Sequence, residues 1–498
     1  MHGMARTPSL MLLILLQVTV SAASLVVEIV AGRMLAPYVG MSLYTWTSVI
    51  AVVLAGFSLG HWIGGVLAER PAARALRLTG WTLVAAALTT AAAAFLLRSL
   101  SEPVLELVAH PVWGIALLTL AVFFLPSCFA GVPAPVLAAL SVQRGTGAGR
   151  ALGAMFAAGA IGAIAGTLLA GFVFISWLGS SLTLMAVTAV YALSALLCFR
   201  LGGGRWLAPL VALGLVLALA MAALAAPDPC TRESRYYCIR VIELGTPEAP
   251  ERLMVIDHLG HGISARDMPL SMYTDHAAML DALARIRAPR PDFSSFFIGG
   301  GSYSIPRAFA LRGTGPRVVA EIDPEVTRIA AAQFWFDPAS AEILHEDARR
   351  ALLTRPERRY DVILGDAFTD VAVPAHLVTR EFFELARDRL TPEGTYLMNV
   401  IDYQDRLQAL AALVHTLGAV FPMVEVWTST TPPPPGERAV FVLVAGNSPT
   451  PHSRFVTRAP EPTEYGALAP DWVAQLAAMG TLLTDDFAPI DRLIGRPD

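Results

Sequence analysis

The sequence predicts a multi-pass α-helical membrane domain followed by an α/β domain on a parallel, doubly wound sheet, with a small β-hairpin subdomain at the head of the second part. Three observations carry this. Hydrophobic residues fill 55% of the 498 positions and charged ones only 15%, far from a soluble average. The apolar excess is confined to residues 1–226, whereas 227–498 read as soluble. From Phe296 to Asp370 short apolar runs each end in glycine or an acid and lead into a helical pattern, the rhythm of strands alternating with helices. The expected domains are 1–226, 227–270 and 271–498.

In the first domain seven apolar stretches reach the roughly 20 residues that a bilayer requires. They lie near 10–31, 44–67, 77–97, 112–140, 152–176, 181–199 and 206–226. Met1 to Ala23 has features of a signal peptide, but apolar sequence continues past Glu28, which favours a span. The fourth stretch holds Pro126, Pro133 and Pro135 and is expected to kink. The fifth carries Gly159, Gly162 and Gly166, small residues at a spacing that lets two helices approach closely. Glu28 is an acid well inside an apolar helix. One reading makes it a polar site with His61; the other pairs it locally with Arg33.

Arginines follow the second, fourth and sixth stretches, which places those loops in the cytoplasm. Seven spans then put the soluble part outside. Cys230 and Cys238 lean the same way, since a disulfide there would need an oxidising compartment. The expected location is a cell membrane crossed several times, which the resemblance described below makes a bacterial inner membrane.

After Ala226 the strand-like runs Tyr236–Leu244 and Glu251–Asp257 suggest the hairpin subdomain, closed by a turn at Asp257-His258-Leu259-Gly260. A helix then runs to about Arg287. Two strands, Val424–Thr428 and Ala439–Val444, flank the proline loop that begins at Pro432.

In a doubly wound sheet the ligand crevice lies beyond the carboxyl ends of the strands. Here those ends carry Gly299, Gly300, Gly301, Glu321, Asp347 and Asp366. Glycines after a strand let the backbone turn and approach a ligand. Glu321, 20 residues after Gly301, stands where an acid accepts hydrogen bonds from ribose hydroxyls. Asp347 is placed to take an exocyclic amine of adenine. The loop lacks Gly-x-Gly-x-x-Gly and continues Ser302, Tyr303, Ser304, which favours a nucleoside without phosphates, such as S-adenosylmethionine, over a dinucleotide. The competing readings make Glu321 a solvated acid, Asp347 a helix cap and Asp366 a turn former. A net charge of −4 argues against a nucleic-acid partner.

The region from about Tyr236 to Gly446 resembles spermidine synthase, a polyamine aminopropyltransferase. The matching pieces are Val255-Ile256-Asp257, Tyr273-Thr274-Asp275, Ile298-Gly299-Gly300-Gly301, Glu321-Ile322-Asp323, Tyr360-Asp361-Val362-Ile363, Asp366, Thr379-Arg380-Glu381-Phe382-Phe383 and Thr430-Thr431-Pro432. The whole chain looks like bacterial proteins in which a membrane region is fused to such a domain, through Leu35-Ala36-Pro37-Tyr38, Tyr44-Thr45-Trp46-Thr47 and Leu483-Thr484-Asp485-Asp486. Gly64-Gly65 to Arg70 is similar to a loop motif of major-facilitator transporters.

The resemblance implies a Rossmann-like sheet of the class I methyltransferase type. It also implies decarboxylated S-adenosylmethionine as aminopropyl donor and an amine such as putrescine as acceptor, without a metal. Glu321 would hold the ribose, Asp347 the adenine, and Gly299 to Ser302 the donor loop. Asp366 would be the catalytic acid, with Tyr273 positioning the amine and Asp275 and Asp370 facing it. Two departures stand out. The family's Gly-Gly-Gly-Asp reads Gly299-Gly300-Gly301-Ser302, and its Asp-x-x-Asp is one residue longer, from Asp366 to Asp370.

The chemistry agrees with the resemblance. An alkylammonium titrates near pH 10.4 and must lose a proton before it attacks; a carboxylate can receive that proton. The alternatives are an S-adenosylmethionine-dependent methyltransferase and a transporter or sensor with a non-catalytic synthase-like domain. Expected partners are a small-molecule amine and a lipid bilayer; a homo-oligomer is compatible.

Overall fold

The computed structural model describes residues 8–108, 110–144, 147–368, 373–434, 436–457 and 460–494. The chain forms two compact units, Met1–Cys238 and Ile239–Asp498, so the division falls later than the change of composition after Ala226.

The first unit is helical: α1 (Leu10–Val39), α2 (Leu43–Ala68), α3 (Ala72–Leu107), α4 (Pro111–Gly131), α5 (Pro133–Val142), α6 (Ala148–Leu169), α7 (Ile175–Gly202) and α8 (Leu207–Ala225). Its helices touch where side chains are missing. A Cβ on Gly162 or Gly166 would collide with the carbonyls of Val18 or Ala22, so α6 lies directly on α1. Gly56, Gly60 and Gly64 do the same for α2 against α4, at Phe124, Cys128 and Val132. Small residues at such spacing let helix backbones pack closely.

Among the described residues six helices are long and apolar enough to cross a membrane, where seven were expected. The difference lies in residues 148–202, a helical stretch of 55 residues. Its unbroken length would be about 80 Å against a hydrocarbon core of about 30 Å. It is interrupted by a π-helical turn, Ala170–Phe174, and by Gly179, whose φ of 74° and ψ of 177° leave the helix. Helix packing resumes at Ser180, whose N–H and hydroxyl donate to Glu233, at 2.7 and 2.5 Å. Glu233 belongs to a two-residue strand, β1 (Arg232–Glu233). Arg33 approaches the same carboxylate at 3.8 Å and donates to the carbonyls of Ser234 and Tyr236. The local Glu28–Arg33 pair is therefore not the one that forms: Arg33 serves the connection that follows α8. Cys230 and Cys238 are joined as a disulfide across this segment, with Cα atoms 5.3 Å apart.

The second unit begins with antiparallel strands β2 (Cys238–Glu243), β3 (Glu251–Ile256) and β4 (Leu259–Ala265). The turn placed at Asp257-His258-Leu259-Gly260 is tighter than expected. Asp257 takes φ 53° and β4 starts at Leu259, so the hairpin gains a further strand. Then come α9 (Asp275–Arg287), β5 (Ser295–Ile298), α10 (Ser304–Arg312), β6 (Arg317–Ala320), α11 (Pro324–Gln333), β7 (Glu342–Leu344), α12 (Ala348–Leu353), β8 (Tyr360–Gly365), α13 (Arg380–Asp388), β9 (Leu390–Tyr403), α14 (Gln408–Gly418), β10 (Met423–Ser429), β11 (Arg438–Gly446), β12 (Arg454–Thr457), β13 (Thr463–Ala467), α15 (Pro470–Met479) and α16 (Ile490–Ile494).

Among the described residues β5 to β13 form one sheet in the order β12-β13-β10-β11-β9-β8-β5-β6-β7. The half from β9 to β7 is parallel and the rest antiparallel. β5 is covered on both faces, so Ser295 to Ile298 are all buried, as the run Phe296-Phe297-Ile298 requires. Each such side chain contributes about 1.5–3 kcal/mol by leaving water. The chain runs from β5 outward through β6 and β7, then returns to β8 on the other side. That reversal is the switch point at which a crevice opens.

Candidate functional site

The ends of β5, β6 and β8 meet at the glycine triplet. Gly299, with φ 91°, passes so near β8 that a Cβ would lie 2.8 Å from the carbonyl of Asp366. Gly300 is pinned by packing: a Cβ would collide with the ring of Tyr303. Tyr303 itself sits at φ 56°, fully buried, stacked on Phe336 at 4.3 Å and sharing a 2.6 Å hydrogen bond with Thr327. The loop therefore closes over an inward-turned aromatic ring.

Glu321 leaves β6 beneath this loop. Its two carboxylate oxygens accept the N–H groups of Gly300, at 2.8 Å, and Asp323, at 2.9 Å. At 6% exposure it is not a solvated strand-end acid. Burial pushes its pKa up to about 7, against the opposing pull of those backbone donors. Each oxygen keeps a further lone pair able to accept a hydroxyl.

Asp366 ends β8. Its Oδ1 accepts from the Asn399 amide on β9 at 2.8 Å, and its Oδ2 lies 3.8 Å from Nε2 of His276 on α9. Asp366, His276, His261, Ser302, Gly299 and Gly300 line a common cavity of about 20 Å³, room for one water-sized group. Burial holds the His261 imidazole down near pKa 4, with Asp366 pulling the other way, so it is neutral at pH 7. Ser302 is buried at 2% exposure, and Gly262 makes room for it: a Cβ there would collide with the Ser302 hydroxyl.

Other expected site residues lie elsewhere. Asp347 does cap α12, accepting from the Arg350 N–H at 3.0 Å, and also accepts from His376 at 2.7 Å. The His376 bond holds its carboxyl below the usual range. Tyr273 does not border the cavity. Its hydroxyl donates to Glu251 on β3 at 2.9 Å, and burial lifts its pKa to about 12. Asp275 accepts from the Tyr465 hydroxyl at 2.7 Å. Asp370 lies outside the described residues.

Three groups escaped the reading of the sequence: His261 and His276, which line the cavity, and Asn399, which donates to Asp366. For His276 a signal existed. It adjoins Asp275 in the first turn of α9, and neighbours on a helix point about 100° apart, so only one of the two can face β8. The closing Asp485 also acquires a structural account. It binds Arg349 through two contacts of 2.7 and 2.6 Å and accepts from Thr379, the cap of α13.

No protein-family model matches the chain. Among curated proteins, a polyamine aminopropyltransferase of Vibrio vulnificus is 35% identical over 115 residues, 22% of this chain and 38% of the relative. The C-terminal part of the chain is homologous to polyamine aminopropyltransferases. A polyamine aminopropyltransferase 2 of Streptomyces coelicolor is 28% identical over 378 residues, 66% of this chain and 65% of its own length. That share exceeds what Ile239–Asp498 holds, so this similarity extends into the helical unit. The chain thus spans less than two thirds of these relatives. Among solved structures, a probable spermidine synthase from Corynebacterium glutamicum is 21% identical, with a TM-score of 0.45 over 52% of this chain and 97% of that one.

Proposed function

We propose that the second unit transfers an aminopropyl group from decarboxylated S-adenosylmethionine to a small amine such as putrescine. The observation that carries this reading is the Asp366 carboxylate. It stands at the switch point, held by Asn399 and faced by His276, in a cavity the size of one amine head group.

The chemistry follows from the charges. The ammonium form of the acceptor is attracted to Asp366 and gives up a proton toward it. The freed nitrogen lone pair attacks the carbon beside the sulfonium. A C–N bond forms, the C–S bond breaks, and its electron pair returns to sulfur, leaving neutral methylthioadenosine. The secondary ammonium then loses its remaining extra proton to the Asp366–His276 pair or to water. Both reactants are cations, so an acidic rim brings them together against their mutual repulsion. Glu321, ionised, supports the nucleoside through the lone pairs its backbone bonds leave open. Asp347, already engaged as a cap and by His376, retains its exposed side for the base. Tyr273 supports the β3 side of the subdomain, and His276 takes the amine-facing place.

The helical unit we read as an integral part of a bacterial inner membrane, from its six long apolar helices. A purified full-length preparation supplied with decarboxylated S-adenosylmethionine and putrescine should release methylthioadenosine. Adenosylhomocysteine from intact S-adenosylmethionine would instead establish a methyltransferase. Amine binding without either product would leave a sensor or transporter.

A further inference from the structure

Asp347 is held from two sides. It precedes α12, where its Oδ1 accepts the Arg350 N–H at 3.0 Å. Its Oδ2 lies 2.7 Å from Nε2 of His376. One such bond leaves the plane of a carboxylate free to turn, because the terminal torsion of an aspartate is broad. Two bonds, one to each oxygen, fix the plane and with it the direction of the remaining lone pairs. The His376 bond also holds the carboxyl below its usual range, so it is ionised at pH 7.

His376 comes from elsewhere in the chain. It lies in the short 3₁₀ turn Ala375–Leu377, between β8 and α13. Its side chain is half exposed, so packing alone does not set its direction. Its carbonyl is held instead, accepting from Nη1 of Arg349 at 3.2 Å. Arg349 and Asp347 stand together at the start of α12, so one stretch of chain grips His376 by its backbone and by its ring. Arg349 is itself fixed by Asp485, in the turn Thr484–Phe487, through bonds of 2.7 and 2.6 Å. Asp485 is tied in turn to Thr379 and Glu381. This pairing has a second effect. A guanidinium two residues from Asp347 is a rival for its carboxylate, and Asp485 occupies that guanidinium.

We propose that His376 is a positioning residue for the base of the nucleoside: it turns Asp347 so that the carboxylate accepts the exocyclic amine of adenine, and the Arg349–Asp485 pair keeps His376 in place. The inference rests on the proposed reading of Asp347 as the group that meets the base. It adds a specificity. Hypoxanthine carries a carbonyl where adenine carries the amine, and an aligned carboxylate repels it. A site built around such a donor rejects analogues that lack it far better than an apolar pocket does.

Calorimetry on the full chain in detergent, at pH 8, compares methylthioadenosine with the analogue in which hydrogen replaces the exocyclic amine. The wild type should prefer methylthioadenosine by about tenfold or more, the worth of one hydrogen bond to a charged group. Asp347→Ser, which keeps a helix cap, should lose the preference. His376→Ala and Asp485→Asn should bring it below about threefold, by weakening methylthioadenosine binding and leaving the affinity of the analogue unchanged. His376→Gln, whose amide can still donate to Asp347, should restore most of it. Preference lost in Asp347→Ser but kept in His376→Ala and Asp485→Asn overturns this proposal and leaves the reading of Asp347 standing. Equal loss for both nucleosides in His376→Ala also overturns it, since the contact would then serve the fold alone. Preference kept in Asp347→Ser, or no binding of either nucleoside by the wild type, overturns that reading and the proposal with it.

Discussion

Two cavities among the described residues are opposites. The one at the sheet is about 20 Å³ and crowded with His261, His276, Asp366 and Ser302. The one among the helices is about 700 Å³ and nearly bare of polar groups. Around the first, the acids are fastened: Asp366, in its lining, to Asn399, and Glu321, beneath the glycine loop, to two backbone amides. In the second, Gln17, Ser21, Ser24 and His61 stand among apolar walls, with no Asp, Glu, Lys or Arg among the described residues that line it. The contrast teaches that volume and chemistry are separate signals. A reactive crevice is recognised by positioned charge, which needs little space in the free protein; an apolar cavity is recognised by its space.

The sharpest way to break this comparison is to remove the charge and keep the shape. Asp366→Asn should lower methylthioadenosine release by about 10²–10⁴-fold, the range of a proton-accepting group. Nucleoside affinity, measured by calorimetry, should stay within about twofold, since the Asn399 contact does not bear on the nucleoside. Turnover near the wild-type rate would remove Asp366 from the chemistry.

Glu321→Gln should weaken methylthioadenosine binding by about 1–3 kcal/mol, the worth of hydrogen bonds to a charged group. The pH dependence sharpens the point. Burial raises the Glu321 pKa to about 7 in the folded protein, so the carboxylate that ribose hydroxyls require is mostly protonated at pH 6 and mostly ionised at pH 8. Affinity should therefore rise roughly tenfold from pH 6 to pH 8 and stay flat in the glutamine variant. Stability runs the other way. A buried acid with a raised pKa binds more protons folded than unfolded, so its ionisation costs stability as pH rises from about 4.5 through 7. A wild-type affinity flat across that window would mean that the nucleoside does not rest on Glu321.

How much of this was legible in the sequence differs between the two units, for physical reasons. The acids at the sheet were readable because a strand end fixes position: Gly299, Glu321 and Asp366 follow directly from where β5, β6 and β8 stop. His261 was not, because it lies on β4, a strand hidden inside what reads as a turn around Gly260. Tyr273 lies before α9, which begins at Asp275, so the helix start sets which side chain faces β8, and that boundary is not fixed by the sequence pattern. In the helical unit the close approach of α6 to α1 was readable from Gly162 and Gly166. The cavity was not, since an apolar helix shows no polar face to distinguish lipid, neighbour and void.

The helical half of the comparison is tested by volume. Gly162→Val places new methyl groups against the backbone of α1 at Val18, which cannot turn aside as a side chain would. The loss should be about 1–3 kcal/mol, as for other overpacked sites. Gly153→Ala, on the same helix but with nothing within 4 Å of its Cβ, should melt like the wild type in detergent. Equal melting of both would show that α1 and α6 are not held by contact at the glycines.

The smallest effect falls on Tyr273, and it separates support from catalysis. Its hydroxyl donates to Glu251, a residue of β3, and Tyr273 is not among the described residues that line the cavity at Asp366. Tyr273→Phe keeps the ring and removes one partly buried hydrogen bond, so denaturant unfolding should show a loss of about 1 kcal/mol. Turnover should be unchanged. His276→Gln should do the reverse, leaving the melting point in place while slowing methylthioadenosine release and altering its pH profile. An amine-positioning role for Tyr273 predicts a raised KM for the acceptor in the phenylalanine variant, and that single measurement decides which residue meets the substrate, Tyr273 before α9 or His276 in its first turn.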